Sequence, residues 1–304
     1  MGDDIGFYAR PGPMTELCGH DEALRGLPSD PLEVASVVQG VIAHPFLLAL
    51  YDLSLPAGRE WDVQVRPAAG IVDRILRSVD RPLVERRDPI DRFFGNCRHF
   101  SVLTVALLRR SGVPARARCG FGGYFQAPKW VDHWVVEHWD GGRWVVLDAQ
   151  VDDRQRAAFG LGDDPADLPP GRFLSGGEAW LRCQAGELDG ARFGILDEWG
   201  QWFIKGNIAR DLASLNKVEM LPWDTWWPHE GPEPLTPGAE AVVGEVAALS
   251  VSGDVAAIRE RYRTDPELRV PPRVRAAFTP DGPTDVDVST LVDQRSPVTP
   301  GKVD

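Results

Sequence analysis

Gly95-Asn96-Cys97-Arg98-His99 opens a stretch that runs through an apolar segment, breaks at Ser111-Gly112-Val113-Pro114, and closes with Asp132-His133-Trp134 and Leu147-Asp148-Ala149. A cysteine, a histidine and an aspartate follow in that order, each in a different kind of local structure. Residues 100–108 are apolar on nearly every side, which predicts a helix buried in the core. Arg109 and Arg110 fall in its last turn, where cations suit the macrodipole, and Gly112 stops it. Asn96 and Cys97 therefore stand at the helix start, among free backbone N–H groups.

From Ala115 the period changes. Residues 116–121 predict a strand leading into a Gly-rich turn. Residues 132–139 and 143–147 predict two strands joined by a tight turn at Asp140-Gly141-Gly142. Along the first, His133, Val135 and Glu137 share one face, and Trp134, Val136 and His138 share the other. If the turn centres on Gly141, Asp148 pairs near residue 134 or 135, within a residue or two of His133.

A thiolate attacks where a thiol barely does, and a helix N-terminus beside a histidine favours the thiolate. Cys97 is placed for that, and the same N–H groups suit the oxyanion of a tetrahedral intermediate. His133 would pair with the sulfur and later protonate the leaving group. Asp148 would hold the imidazole's tautomer and orientation. A lone cysteine at a helix start is usually structural; the matching histidine and aspartate favour catalysis.

Cys97 at the helix start, Gly-Val-Pro-Ala-Arg at 112–116, Asp-His-Trp at 132–134 and Trp-Val-Val-Leu-Asp-Ala at 144–149 together resemble the core of the transglutaminase-like superfamily. The resemblance is specific over residues 96–150, and its fuller pattern, over 32–223, looks like a bacterial branch of that superfamily. It implies an α+β, papain-like fold: a central helix bearing the cysteine, packed on an antiparallel sheet bearing the histidine and aspartate. It implies Cys97 as nucleophile, His133 as base and Asp148 as orienter. Similar branch members carry an acidic residue at the position of His99, a departure that alters the pocket or nothing. The superfamily holds transglutaminases, proteases, peptide N-glycanase-like amidases, amide-forming enzymes and inactive members, so the reaction stays open. Calcium dependence is not implied, because the calcium-binding and extra β domains of animal transglutaminases have no counterpart here.

Other candidates are weaker. Asn96, Arg98, Trp130, Asp132, Trp134 and Trp223 are candidate substrate contacts; Arg98 either binds a substrate carboxylate or ion-pairs with an acidic neighbour. Lys205, Asn207, Arg210, Asn216 and Lys217 form a polar set that a solvated helix face explains. Cys119 and Cys183 read as small buried hydrophobes. Cys18-Gly19-His20 offers two metal ligands on a loose arm, too few for a site, and no cofactor is expected.

A length of 304 residues allows one large domain or two small ones, and the net charge of −12 argues against general nucleic-acid binding. Four scattered cysteines make no disulfide framework and no zinc pair. Eleven tryptophans fit a Trp-rich core more simply than a substrate cleft. The N-terminus lacks the apolar core of a signal peptide, and no apolar run spans a bilayer, so a cytoplasmic protein without membrane contact is expected.

Along the chain, residues 1–30 read as an arm with a short turn. Asp30-Pro31 starts a helix that Pro45 kinks or splits. Residues 63–79 are helical, 81–92 a loop, 199–204 a strand and 207–218 a helix. Two more helices follow at 239–249 and 254–262, and a disordered tail is expected from Phe278. A catalytic domain over 1–228 with an N-terminal helical scaffold, and a helical extension with a disordered tail over 229–304, follow from this pattern. The expected activity is cysteine-dependent acyl transfer or hydrolysis on an amide or thioester, with a small molecule or peptide as substrate. The alternative is a silent binding or scaffold protein. Oligomeric state is not legible.

Overall fold

The computed structural model describes residues 3–292. Helix α1 (Asp3–Tyr8) opens the described chain. The expected loose arm is instead packed: Tyr8, Met14 and Leu17 are buried, and the Tyr8 hydroxyl donates to the Leu215 carbonyl at 3.0 Å. Helix α2 (Pro31–Val41) starts where Asp30 accepts from the N–H groups of Leu32 and Glu33. Pro45 forbids its continuation. Strand β1 (Ile42–Ala43) follows, then a 3-10 turn over Pro45–Tyr51.

Helix α3 (Ala68–Ser78) buries Ile71, Val72 and Ile75. Strand β2 (Phe93–Phe94) pairs in parallel with β1, Ala43 opposite Phe94, and delivers the chain to helix α4 (Cys97–Arg110). Every residue of α4 except Arg110 is buried. Each Val or Leu so buried contributes roughly 1.5–3 kcal/mol, which makes this helix the axis of the core.

Strands β3 (Ala115–Gln126), β4 (Lys129–Trp139) and β5 (Trp144–Leu147) form an antiparallel ladder. In it Gly120 faces His133, and Leu147 faces Val136. Asp140 closes the β4–β5 turn by accepting from the N–H groups of Gly142 and Arg143. Alternation along β4 sorts the side chains: Trp134 and Val136 enter the core that holds α4, while Val135 packs with Tyr124 in another cluster.

Helix α5 (Asp153–Phe159) follows β5, capped by Asp152, which accepts the Gln155 N–H. Strand β6 (Phe173–Ser175), helix α6 (Gly176–Gln184), strands β7 (Phe193–Ile195) and β8 (Glu198–Trp199) and helix α7 (Gln201–Leu215) follow. The expected strand at 199–204 is thus mostly the first turn of α7. Ile204 lies one turn before Ile208, and both are buried, so the longer apolar stripe wins. The sheet runs β6-β3-β4-β7-β8, with β5 also on β4. It is antiparallel apart from β4 and β7.

Strand β9 (Asp224–Thr225) leads to helices α8 (Pro237–Val251) and α9 (Val255–Thr264), strands β10 (Arg273–Ala276) and β11 (Thr284–Asp287), and helix α10 (Ser289–Val292). Val243, Val246 and Ile258 share one core cluster with Ile204, Ile208 and Leu212. The disordered tail expected from Phe278 is overturned up to Val292. β10 pairs with both β9 and β11, and Val274 and Val288 are buried. The remainder of that expectation, residues 293–304, lies outside the described residues. Among the described residues, no helix is long and apolar enough to cross a membrane.

The candidate active site

The β1–β2 pair fixes where α4 begins. Gly95 donates its N–H to the Ala43 carbonyl at 3.0 Å, and Asn96 then caps the helix. His99 braces this start from the third helical position. Its Nδ1 accepts the Asn96 N–H at 3.1 Å, and its Nε2–H donates to the Val65 carbonyl at 3.0 Å. Burial, then the Arg98 charge, holds the ring well below its ordinary pKa of 6.5, so it stays neutral. Glutamate usually makes this reciprocal cap. A neutral imidazole does the same work here without placing a carboxylate beside Cys97. His99 is fully buried, and its contacts serve the helix start.

Cys97 occupies the first helical position and is 7% exposed. Its sulfur lies near enough to the His133 ring to favour the charged imidazole. The other side of that ring is fixed: His133 Nε2 lies 2.9 Å from Asp148 Oδ2. This leaves Nδ1 for the sulfur. Asp148 sits one residue past β5, where the hairpin count expects it.

The carboxylate is fully engaged. Its Oδ2 also accepts from the Tyr124 hydroxyl at 2.6 Å, and its Oδ1 accepts the Gln150 N–H at 3.0 Å. Burial alone would raise the Asp148 pKa; His133, Tyr124 and Gln150 together hold it below the ordinary carboxylate value. Burial alone would lower that of His133. The Asp148 charge and hydrogen bond, with the Cys97 contact, outweigh it and push the ring up to about 10. Burial, then Asp148, pushes the Tyr124 phenol well above 10, so it remains a donor. The histidine is therefore held in its charged form at neutral pH.

Aromatic rings cover the imidazole. Phe125 meets His133 edge-on at 4.8 Å between centroids, and Phe159 meets Phe125 at 6.0 Å. Nothing in the sequence marks Tyr124 and Phe125 as site residues: they sit beyond Gly122-Gly123, where the strand reads as ending. The β3–β4 irregularity between Gly122 and Gln126 falls on the same residues.

The other expected contacts divide. Asn96 lies at the site as the helix cap. Arg98 does not: its side chain is fully buried and donates to the backbone carbonyls of Arg66, at 2.5 Å, and Glu219. Successive helical residues point about 100° apart, so the side chain following Cys97 turns into the core. Asp132 is buried and accepts from Asn207 Nδ2 at 2.7 Å, tying α7 to the sheet. Trp134 is fully buried beneath α4, on the opposite side of the strand from His133. Trp130 is half-buried and stacks on Phe193 at 5.7 Å; Trp223 donates to Gln64 Oε1 at 3.1 Å and meets Phe278 edge-on. The polar set on and just past α7 makes structural contacts. Lys205 donates to the Glu233 carbonyl, Arg210 pairs with Glu230, Asn216 donates to Leu212, and Lys217 donates to Arg10.

Cys119 is buried and Cys183 half-buried. Cys18 is exposed against Glu16, while His20 pairs with Asp73, so that pair is spent elsewhere. Among the described residues, no group of three or more His, Cys, Asp or Glu could hold a metal ion. A cavity of about 460 Å³ lies behind Asp148, lined by Gln39, Arg86 and Asp152 among others, and neither Cys97 nor His133 lines it.

Residues 77–149 match the family model of the transglutaminase-like superfamily, and Cys97, His133 and Asp148 all lie inside the matched segment. Comparison with curated proteins finds no match. A solved structure of a proposed cysteine protease from Cytophaga hutchinsonii is 19% identical, covering 49% of this chain and 43% of that one, with a TM-score of 0.31. This chain thus spans under half of that relative's length, and a likeness so low does not bear on the fold. The family match supports a cysteine-dependent enzyme in general, and residues 77–149 are similar to the core of the transglutaminase-like superfamily.

Proposed function

We propose that this protein cleaves or transfers acyl groups through an acyl-Cys97 intermediate, with His133 as the proton shuttle and Asp148 as its orienting partner. One observation carries the reading: Asp148 Oδ2 holds the His133 ring at 2.9 Å, and Cys97 is among the groups that favour the charged form of that ring. Sulfur attacks the carbonyl carbon of an amide or thioester, and the leaving amine or thiol takes the proton from His133 Nδ1. Water or an amine then releases the acyl group, with His133 accepting its proton. Hydrolysis and transfer share every step but that acceptor. A small molecule or peptide is the proposed substrate: Tyr124 and Phe125 pack on the His133 ring and Phe159 on Phe125, and neither Arg98 nor Asp132 is free to bind a substrate charge. The alternative of a silent binding protein drew on His99, and that side chain braces the helix away from the cleft. Intact-mass screening against amide and thioester libraries tests the proposal. A covalent adduct present in the wild type and lacking in Cys97→Ala is expected; adducts that persist in Cys97→Ala, or none across the library, refute it.

A further inference from the structure

The first N–H groups of α4 supply one donor to a developing oxyanion at Cys97, and acyl chemistry gains most when a second donor stands opposite. We infer that His44 is that donor, through its Nε2–H, which adds a catalytic residue to the three already described. The inference rests on the acyl-transfer reading above.

Placement comes from the backbone. The parallel β1–β2 pair sets Ile42 against Phe93 and Ala43 against Phe94. The next residue along β1 is His44, and the next along β2 is Gly95, whose N–H is already bound to the Ala43 carbonyl. His44 is therefore held alongside the turn that delivers Cys97. Pro45 locks the chain immediately after it, at the start of the 3-10 turn.

Orientation comes from the ring. His44 Nδ1 accepts the Phe46 N–H at 3.2 Å, which commits that nitrogen and turns Nε2 the other way. Among the described residues Nε2 has no hydrogen-bond partner, yet it is not a sealed, orphaned atom. It is reachable and unspent. The ring also lies within the field of His133: burial first, and the His133 charge second, hold His44 down to about 3. Such a ring cannot serve as a base. Kept neutral with Nδ1 as acceptor, it presents Nε2–H and nothing else.

In the step itself, the C–S bond forms as the carbonyl π pair moves onto oxygen, which the Cys97 N–H and His44 Nε2–H receive. Collapse restores the carbonyl and breaks the bond to the leaving group, which takes its proton from His133. His44 keeps its own proton throughout.

Two reactions at the same sulfur separate this role from a merely structural cap. Alkylation by iodoacetamide passes through no oxyanion; acylation by p-nitrophenyl acetate does. The full-length wild type, His44→Asn and His44→Gln are compared in both, with thermal melts as a folding check. Asn keeps the cap but withdraws the donor, so acylation should fall about 10²–10³-fold while alkylation holds. Gln, whose longer amide still offers an N–H, should recover at least about tenfold of that loss. Acylation unchanged in both variants overturns the inference, as does an equal fall in both reactions. Should His44→Asn not fold, His44→Gln alone decides: acylation lost in step with alkylation sinks it. A wild type that is alkylated at Cys97 but never acylated sinks the acyl-transfer reading first, and this inference with it.

Discussion

Replacing Asp148 by Asn probes the orienting contact with minimal change of shape. Oδ1 can keep accepting from Gln150, but an amide NH2 now stands where Oδ2 accepted from both His133 and Tyr124. Tyr124 can turn its hydroxyl to accept. His133 can only offer the Nε2 lone pair, which moves its proton to Nδ1, facing sulfur, where it blocks uptake of the thiol proton. The lift of the ring from 6.5 to about 10 corresponds to roughly 5 kcal/mol of preference for imidazolium, at about 1.4 kcal/mol per pH unit. Burial opposes that lift and Asp148 is the largest favourable contributor, ahead of Cys97, so its removal should cost at least about 3 kcal/mol of that preference. Iodoacetamide alkylation of Cys97, followed by intact mass from pH 5 to 9, reads this directly. The wild type should react well below pH 7. Asp148→Asn should react about 10²–10³-fold more slowly at pH 6 and recover only as a free thiol ionises, near pH 8.5. Superimposable pH profiles in a folded variant would refute the reasoning.

Other outcomes follow from the same geometry. Arg98→Ala should lower stability by about 3 kcal/mol in urea melts, by opening a cavity and orphaning two carbonyls, without touching the alkylation rate of the folded fraction. Gly120→Ala would put a Cβ 2.0 Å from the Leu174 carbonyl oxygen, so it should break the β3–β6 pairing and cost about 3 kcal/mol or more. Unfolded histidines titrate near 6.5, whereas His44 sits at about 3 and His99 well below 6.5 in the fold. The unfolded chain therefore binds more protons in that window, and stability should fall as pH drops from about 6.5 toward 3, less so in His99→Gln. His133 acts with the opposite sign: its contribution is complete below about 6.5 and is lost as pH rises through about 10. A chain ended at residue 228 should fail to fold cooperatively, because Val243, Val246 and Ile258 share the core of α6 and α7; a sharp thermal melt of that truncation would contradict this.

The centre of the fold was legible because its signals are local. A period-2 run, an Asp-Gly-Gly turn and a capped apolar helix each specify their own geometry, and the hairpin count alone placed Asp148 beside His133. What was not legible depends on direction or on distant partners. Arg98 and Asp132 neighbour the reactive residues in sequence, yet helix rotation and strand alternation turn their side chains into buried networks with Glu219 and Asn207. Trp134 fails as a substrate contact for the same reason. Tyr124 and His44 reach the site only through sheet pairing, which no local pattern announces. The arm and the tail were underrated because each buries a few residues, such as Tyr8 and Val274, against elements more than 45 positions away.

The central claim, that Cys97 is ionised and aimed by His133, is tested most directly by competition among the four cysteines for limiting iodoacetamide at pH 6, with sites read by peptide mapping. Accessibility alone favours Cys18, which is exposed, over the buried Cys97. The account predicts Cys97 labelled first, and the preference abolished in His133→Ala. Cys18 labelled ahead of Cys97 in the folded wild type would contradict it.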